Sequence, residues 1–127
     1  MADTAGRIMN NREKLITQIA NEIDLMNGEN TIALDITKQS NWTDYFIIST
    51  VTSETHLKGL YSKIYDILDS MKIVPLSRHR KSDSNNWVLI DCGFFVIHLM
   101  DRETRDYYDL EKLWFESQKV FQSSKSS

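Results

Sequence analysis

The chain has 127 residues, of which 41% are hydrophobic and 26% charged, and 15 Lys and Arg against 18 Asp and Glu give a formal net charge of -3. That length and balance point to one globular domain with a continuous core, and they exclude bulk disorder. The acidic balance argues against general nucleic-acid binding, whose affinity comes from Lys and Arg neutralising phosphates, and fits a basic protein partner better.

Residues 1–11 are small and polar without periodicity, which predicts a flexible N-terminal segment ahead of a single domain over residues 12–117. From Arg12 onward Leu15, Ile16, Ile19, Ala20, Ile23 and Met26 recur at helical spacing and Asn27-Gly28 supplies a stop, so an amphipathic helix is expected there. Residues 31–36 alternate as a strand does, with Ile32, Leu34 and Ile36 on one side and Ala33 and Asp35 on the other. Residues 38–43 read as a polar connector. The run from Asp44 through Thr50, DYFIIST, is almost continuously apolar and suits a central strand covered on both faces. Thr52 and Ser53 then offer N-cap hydroxyls for a helix carrying Leu57, Leu60, Tyr61, Ile64, Leu68 and Met71 on one stripe. Residues 73–76 predict a short strand kept near a sheet edge by Pro75, which cannot donate to an interior ladder. Residues 77–86 read as a polar loop that starts basic.

The clearest local structure is NWVLIDCGFFVIHLM, residues 86–100, where two β-rich runs flank Cys92-Gly93 as in a tight hairpin. A turn holding only those two residues sets Asp91 opposite Phe94, Leu89 opposite Val96 and Trp87 opposite His98. Val88, Ile90, Phe95, Ile97 and Leu99 then form a wholly apolar face that must be buried. The other face mixes Trp87, Asp91 and His98 with Leu89, Phe94, Val96 and Met100, and is the first candidate for a functional surface, with cover of Trp87 and His98 by a helix of the fold as the equal alternative. After it, Asp101 caps a last helix with Tyr107, Leu110, Leu113 and Trp114 as its apolar stripe and Arg105, Asp109 and Lys112 facing outward. Residues 118–127 turn Ser-rich and are expected to form a flexible tail. This element order predicts an α/β fold, one mixed β-sheet flanked by helices.

Motifs for chemistry are sparse. Ser49-Thr-Val-Thr-Ser53 joins a strand to a helix where a phosphate loop would lie, but it contains no glycine. No carboxylate pair follows at two-metal spacing, so an N-cap flanked by the strand-end residues Asp35, Asp44 and Asp91 is the favoured reading over catalysis. His56, His79, His98 and Cys92 lack zinc-ligand spacing, and no metal or other cofactor is expected. Cys92, the single cysteine, reads as turn filler and fits a reducing compartment. No run reaches the length of a membrane span and residues 1–13 lack the apolar core of a secretory signal, so a cytoplasmic protein is expected. Arg78, Arg80 and Lys81 form a short basic run that suits a solvated loop or an RNA contact.

Several segments together resemble the ribosomal silencing factor family, also called RsfS or Iojap-like. They are DYFIIST with Thr52, Ser53 and His56; WVLID at 87–91 with Gly93, Val96 and His98; and Arg105-x-Tyr107-Tyr108-x-Leu110-Glu111-x-Leu113-Trp114. The likeness runs in order over residues 15–114, with departures at Val51, where the family usually has Gly, and at Phe94, where it usually has an acidic residue. The resemblance implies a nucleotidyltransferase-like shape without the catalytic motif and a non-enzymatic repressor of translation. It also implies binding to large-subunit ribosomal protein fourteen, which blocks joining of the small subunit when nutrients are scarce. On that basis Trp87, Leu89, Asp91, His98, Tyr107 and Tyr108 are the expected partner-binding residues, with Arg78, Arg80 and Lys81 as a secondary contact to ribosomal RNA. A homodimer is a further expectation of the resemblance. The alternatives from other classes are a nucleotide-binding or nucleotidyltransferase-type enzyme and an RNA-binding module.

Overall fold

The computed structural model describes residues 10–80, 87–113 and 116–123. Within them the chain runs α1 (Asn11–Leu25), β1 (Glu29–Asp35), β2 (Tyr45–Val51), α2 (Glu54–Ser70), β3 (Ser77–Arg80), β4 (Trp87–Asp91), β5 (Phe95–Asp101), α3 (Arg102–Tyr108), α4 (Leu110–Leu113) and β6 (Gln118–Gln122). The six strands form one sheet in the order β3-β4-β5-β2-β1-β6. β2 and β5 are parallel and the other described pairs antiparallel, which is the expected α/β mixed sheet with helices on its faces.

Local chemistry accounts for the helices. The Asn10 side chain accepts the Glu13 backbone N–H at 2.7 Å and starts α1, and the Ser53 hydroxyl accepts the His56 N–H at 3.0 Å and starts α2. Asn27 in the left-handed region, φ 71, helps turn the chain after α1. Ile16, Ile19, Ala20 and Ile23 of α1 and Leu57, Leu60, Ile64 and Leu68 of α2 pack on one sheet face with Ile47, Val88, Ile90, Phe95, Ile97 and Leu99. The opposite face holds a second core of Ile32, Leu34, Ile36, Phe46, Ile48, Trp87, Val96 and Met100, joined by Leu110 of α4. Burial on both faces is why every residue of β2 is buried and why its sequence shows no alternation.

The structure departs from the expected elements in four places. The edge strand is Ser77–Arg80, not residues 73–76. Ile73 spends its N–H on the Leu68 carbonyl at 2.8 Å, Pro75 has none, and the ladder begins only where the Leu76 N–H reaches the Asp91 carbonyl at 2.8 Å. Second, the hairpin register is Trp87 with Met100, Leu89 with His98 and Asp91 with Val96. The central turn residues are therefore Gly93 and Phe94. Gly93 takes φ 93, Cys92 N–H donates to the Phe95 carbonyl at 2.9 Å, and the Asp91 carboxylate accepts the Gly93 N–H at 2.9 Å. Moving the turn by one residue moves each partner by two, so the division into two faces is preserved while every opposed pair changes.

Third, the last helix is broken. Asp109 adopts φ 48, separating α3 from α4, and its carboxylate accepts the Lys112 N–H at 3.3 Å. Within α3, Arg105, expected to face water, is 7% exposed because its guanidinium turns inward to the Thr50 hydroxyl, and Tyr107, two residues on and so on the opposite side of the helix, is 81% exposed and outside the apolar stripe. Fourth, the segment read as a tail begins with β6, which pairs with β1 and packs Val120 and Phe121 against the first core. The domain thus extends past residue 117. Residues 1–9, the expected N-terminal segment apart from its last positions, lie outside the described residues, as do Lys81, Trp114 and residues 124–127.

Candidate functional site

The second sheet face gathers aromatic rings into a continuous band. His98 on β5 stands opposite Leu89 on β4 and beside Ile48 on β2, so side chains from three strands meet there. The Trp87 indole N–H donates to His98 Nδ1 at 3.2 Å, which makes Nδ1 an acceptor and leaves the proton of the neutral imidazole on Nε2. Phe46 lies edge-on to His98 with ring centroids 4.5 Å apart, and Trp42 meets Phe46 at 5.7 Å. At the other end Trp87 packs on Tyr108 at 4.7 Å, and Tyr108 meets Tyr107 edge-on at 5.0 Å. Edge and tilted contacts of this kind match the quadrupoles of the rings.

Burial divides the band. Trp87 is 6% exposed and His98 2%, so both lie inside the second core, held by α3 and α4 above the sheet. The exposed ends are Tyr107 with Tyr108 and, on the connector before β2, Trp42 at 54%. Of the residues expected to meet a partner, Trp87, His98 and Tyr108 are therefore in contact, and Leu89 is partly buried beside them. Asp91 is not in this group. It sits four positions along β4 from Trp87, roughly 13 Å at strand rise, with its carboxylate holding the turn. Arg78 and Arg80 lie on β3, paired with Ile90 and Val88 on β4; Lys81 is outside the described residues. Sequence reasoning missed Trp42, which stood in a segment read as a polar connector. The signal was a lone Trp one turn residue ahead of an apolar run.

The groups weighed for catalysis are occupied structurally. The Asp35 carboxylate accepts the Thr37 N–H at 3.0 Å and hydroxyl at 2.6 Å, and Asp44 pairs with Arg12 at 3.1 Å. At the end of β2, Ser49 bonds Thr31 at 2.8 Å and Thr50 accepts from Arg105 at 2.9 Å, and just after the strand the Thr52 N–H donates to His56 Nδ1 at 3.0 Å. Burial, and next the charge of Asp91, pushes the Cys92 thiol up to about 12, so it is a poor nucleophile. Among the described residues no three His, Cys, Asp or Glu side chains converge on a metal position, and no helix is long and apolar enough to cross a membrane.

Comparison with known proteins places the chain in a family. Residues 9–127 match the family model described as RsfS, ribosomal silencing factor during starvation. The chain belongs to this family. A ribosomal silencing factor RsfS of Bacillus subtilis is 32% identical over 104 residues, covering 82% of this chain and 87% of that protein. The mouse protein named mitochondrial assembly of ribosomal large subunit protein 1 is 33% identical over 90 residues, 69% of this chain, but the match spans only 40% of its own length. A crystal structure from Chromobacterium violaceum superimposes with a TM-score of 0.73 at 28% identity, covering 94% of this chain and 92% of that one. One from Bacillus halodurans gives a TM-score of 0.66 at 31% identity, covering 82% and 95%. The α/β architecture is thus that of the RsfS structures, and the band described above lies on an RsfS sheet.

Proposed function

We propose that this RsfS-family protein is a steric repressor of translation. It docks on large-subunit ribosomal protein fourteen and its bulk keeps the small subunit from joining, lowering translation when nutrients are limiting. The observation that carries this reading is the pair Tyr107 and Tyr108, exposed aromatic rings backed by the buried Trp87–His98 pair. Exposed Tyr on a rigid support is the kind of residue that dominates binding energy, since it buries much area at little entropic cost. A net charge of -3 suits a basic ribosomal protein. The proposal needs no catalysis and no cofactor, and it places the protein in the cytoplasm. Contact of Arg78, Arg80 and Lys81 with ribosomal RNA is secondary, and a homodimer formed through the same face competes with docking.

Co-sedimentation with isolated large subunits tests it. Tyr107→Ala with Tyr108→Ala is expected to weaken docking by about 2 kcal/mol or more and to restore joining when small subunits are added. A folded double variant that sediments with large subunits as the parent does would remove these residues from the surface. Purified ribosomal protein fourteen that fails to bind the parent chain in calorimetry would remove the partner.

A further inference from the structure

The second sheet face has another feature that the aromatic band does not use. Where β2 ends, a cavity of about 430 Å³ opens between α3 and the β1–β6 pair. The connection leaving β2 forms α2 on one face of the sheet, whereas the connection leaving the parallel strand β5 forms α3 on the other. Divergence of this kind at the carboxyl ends of adjacent parallel strands marks where open α/β sheets hold ligands, and the cavity adjoins it through Thr50 of β2 and Arg102, the residue after β5.

Its lining is almost wholly polar. Arg102 and Arg105 of α3 and Lys119 of β6 bring positive charge to it from two elements. Arg105 is held rigidly, its guanidinium donating to the Thr50 hydroxyl at 2.9 Å and lying 3.5 Å from the Glu29 carbonyl. Arg102 is anchored at one nitrogen by Glu29 at 3.3 Å, and Lys119 makes no ion pair among the described residues. Asp106 and Asp109 line the same cavity. Carboxylates only accept, so a molecule beside them must bring hydrogen-bond donors. Ile32 is the apolar side chain of the lining and no aromatic ring is present among the described lining residues, so nothing there stacks a flat base.

We propose that this cavity binds a small phosphate ester of a polyol, its phosphate on Arg102, Arg105 and Lys119 and its hydroxyls on Asp106 and Asp109. A bare phosphate meets the cations but leaves the carboxylates and most of the volume unused. The lining shares no residue with the aromatic band, and the test needs no ribosome.

The experiment titrates the full chain with ribose 5-phosphate, inorganic phosphate and ribose, following backbone amide signals by NMR. Ribose 5-phosphate is expected to give saturable shifts at Thr31, Thr50, Arg102, Asp106 and Lys119, with phosphate binding more weakly and ribose giving no saturable shift. Arg102→Gln with Lys119→Gln, both exposed positions, is expected to weaken ribose 5-phosphate about tenfold or more, the worth of one charge-assisted hydrogen bond. Asp106→Asn is expected to weaken ribose 5-phosphate without weakening phosphate. Absence of saturable shifts, shifts centred outside these residues, phosphate binding as tightly as the ester, or undiminished binding by the folded double variant would each overturn the proposal.

Discussion

Trp87→Ala separates a ring that holds the fold from one that merely touches a partner. The indole is 6% exposed and packs in the second core with Ile32, Phe46, Ile48, Val96 and Met100. Emptying that space is worth about 3–5 kcal/mol by the usual cost of aromatic-to-alanine changes in cores. The change also strips His98 Nδ1 of its 3.2 Å donor, and a buried acceptor left without its partner adds roughly 1–3 kcal/mol. A domain of this size is stable by about 5–15 kcal/mol, so the variant should be severely weakened or unfolded. Trp87→Phe keeps a ring but deletes the N–H, and should lose only about 1–3 kcal/mol. Urea unfolding followed by circular dichroism reads both, with Tyr107→Ala as an exposed control expected to stay within about 0.5 kcal/mol of the parent. A loss under about 1 kcal/mol for Trp87→Ala would refute the buried placement. Loss of docking by Trp87→Ala alone therefore says little about contact, whereas a stable Trp87→Phe variant that still docks assigns the indole to support.

Three further outcomes follow from the packing. A Cβ on Gly28 would overlap the Ser49 hydroxyl and approach Ile23 Cγ2 to 2.9 Å, so Gly28→Ala should destabilise by about 1–3 kcal/mol in the same urea assay. Truncation after residue 117 removes β6, the cover that Val120 and Phe121 give the first core and the 2.7 Å bond from Ser123 to Asp24; a midpoint lowered by the equivalent of roughly 2–3 kcal/mol is expected. Stability should also fall as pH rises from about 9 toward 12. The unfolded chain loses the Cys92 proton near the ordinary value of 9.0 while the folded chain keeps it up to about 12, and Tyr45, raised by burial and by Asp35, acts in the same sense above 10.0. Cys92→Ala should flatten the decline, and an unchanged slope in urea midpoints against pH would count against the buried thiol.

The likeness to RsfS was legible in the sequence because the family's motifs are short and local: DYFIIST, WVLID and the RxYYxLExLW run can be read without knowing what they pack on. The two cores were legible for a similar reason. Period 3.6 in α1 and α2 and period 2 in the hairpin assign each side chain to a face, and the assignment survived a wrong turn position because face membership depends on parity alone. Caps at Ser53 and Asp101 were equally local, each a side chain bonding an N–H three residues on, at 3.0 and 2.8 Å.

What covers a face is a different kind of fact. Whether Trp87 and His98 meet water or a helix depends on where α3 and α4 return, and that path turns at Asp109, whose left-handed backbone no periodicity announces. β6 escaped notice because QKVFQ is polar and borders a Ser-rich end; it is a strand because the free edge of β1 supplies the partners for its backbone groups. The cavity beside α3 is built from residues up to 93 positions apart, Asn30 and Ser123 at the extremes, and the cations lining it come from two separate elements, Arg102 and Arg105 from α3 and Lys119 from β6. Sequence by itself determined the periods, the caps and the family, all set within a few residues. Tertiary structure alone decided which aromatic rings are buried and which charges converge, since both depend on chain segments that become neighbours only on folding.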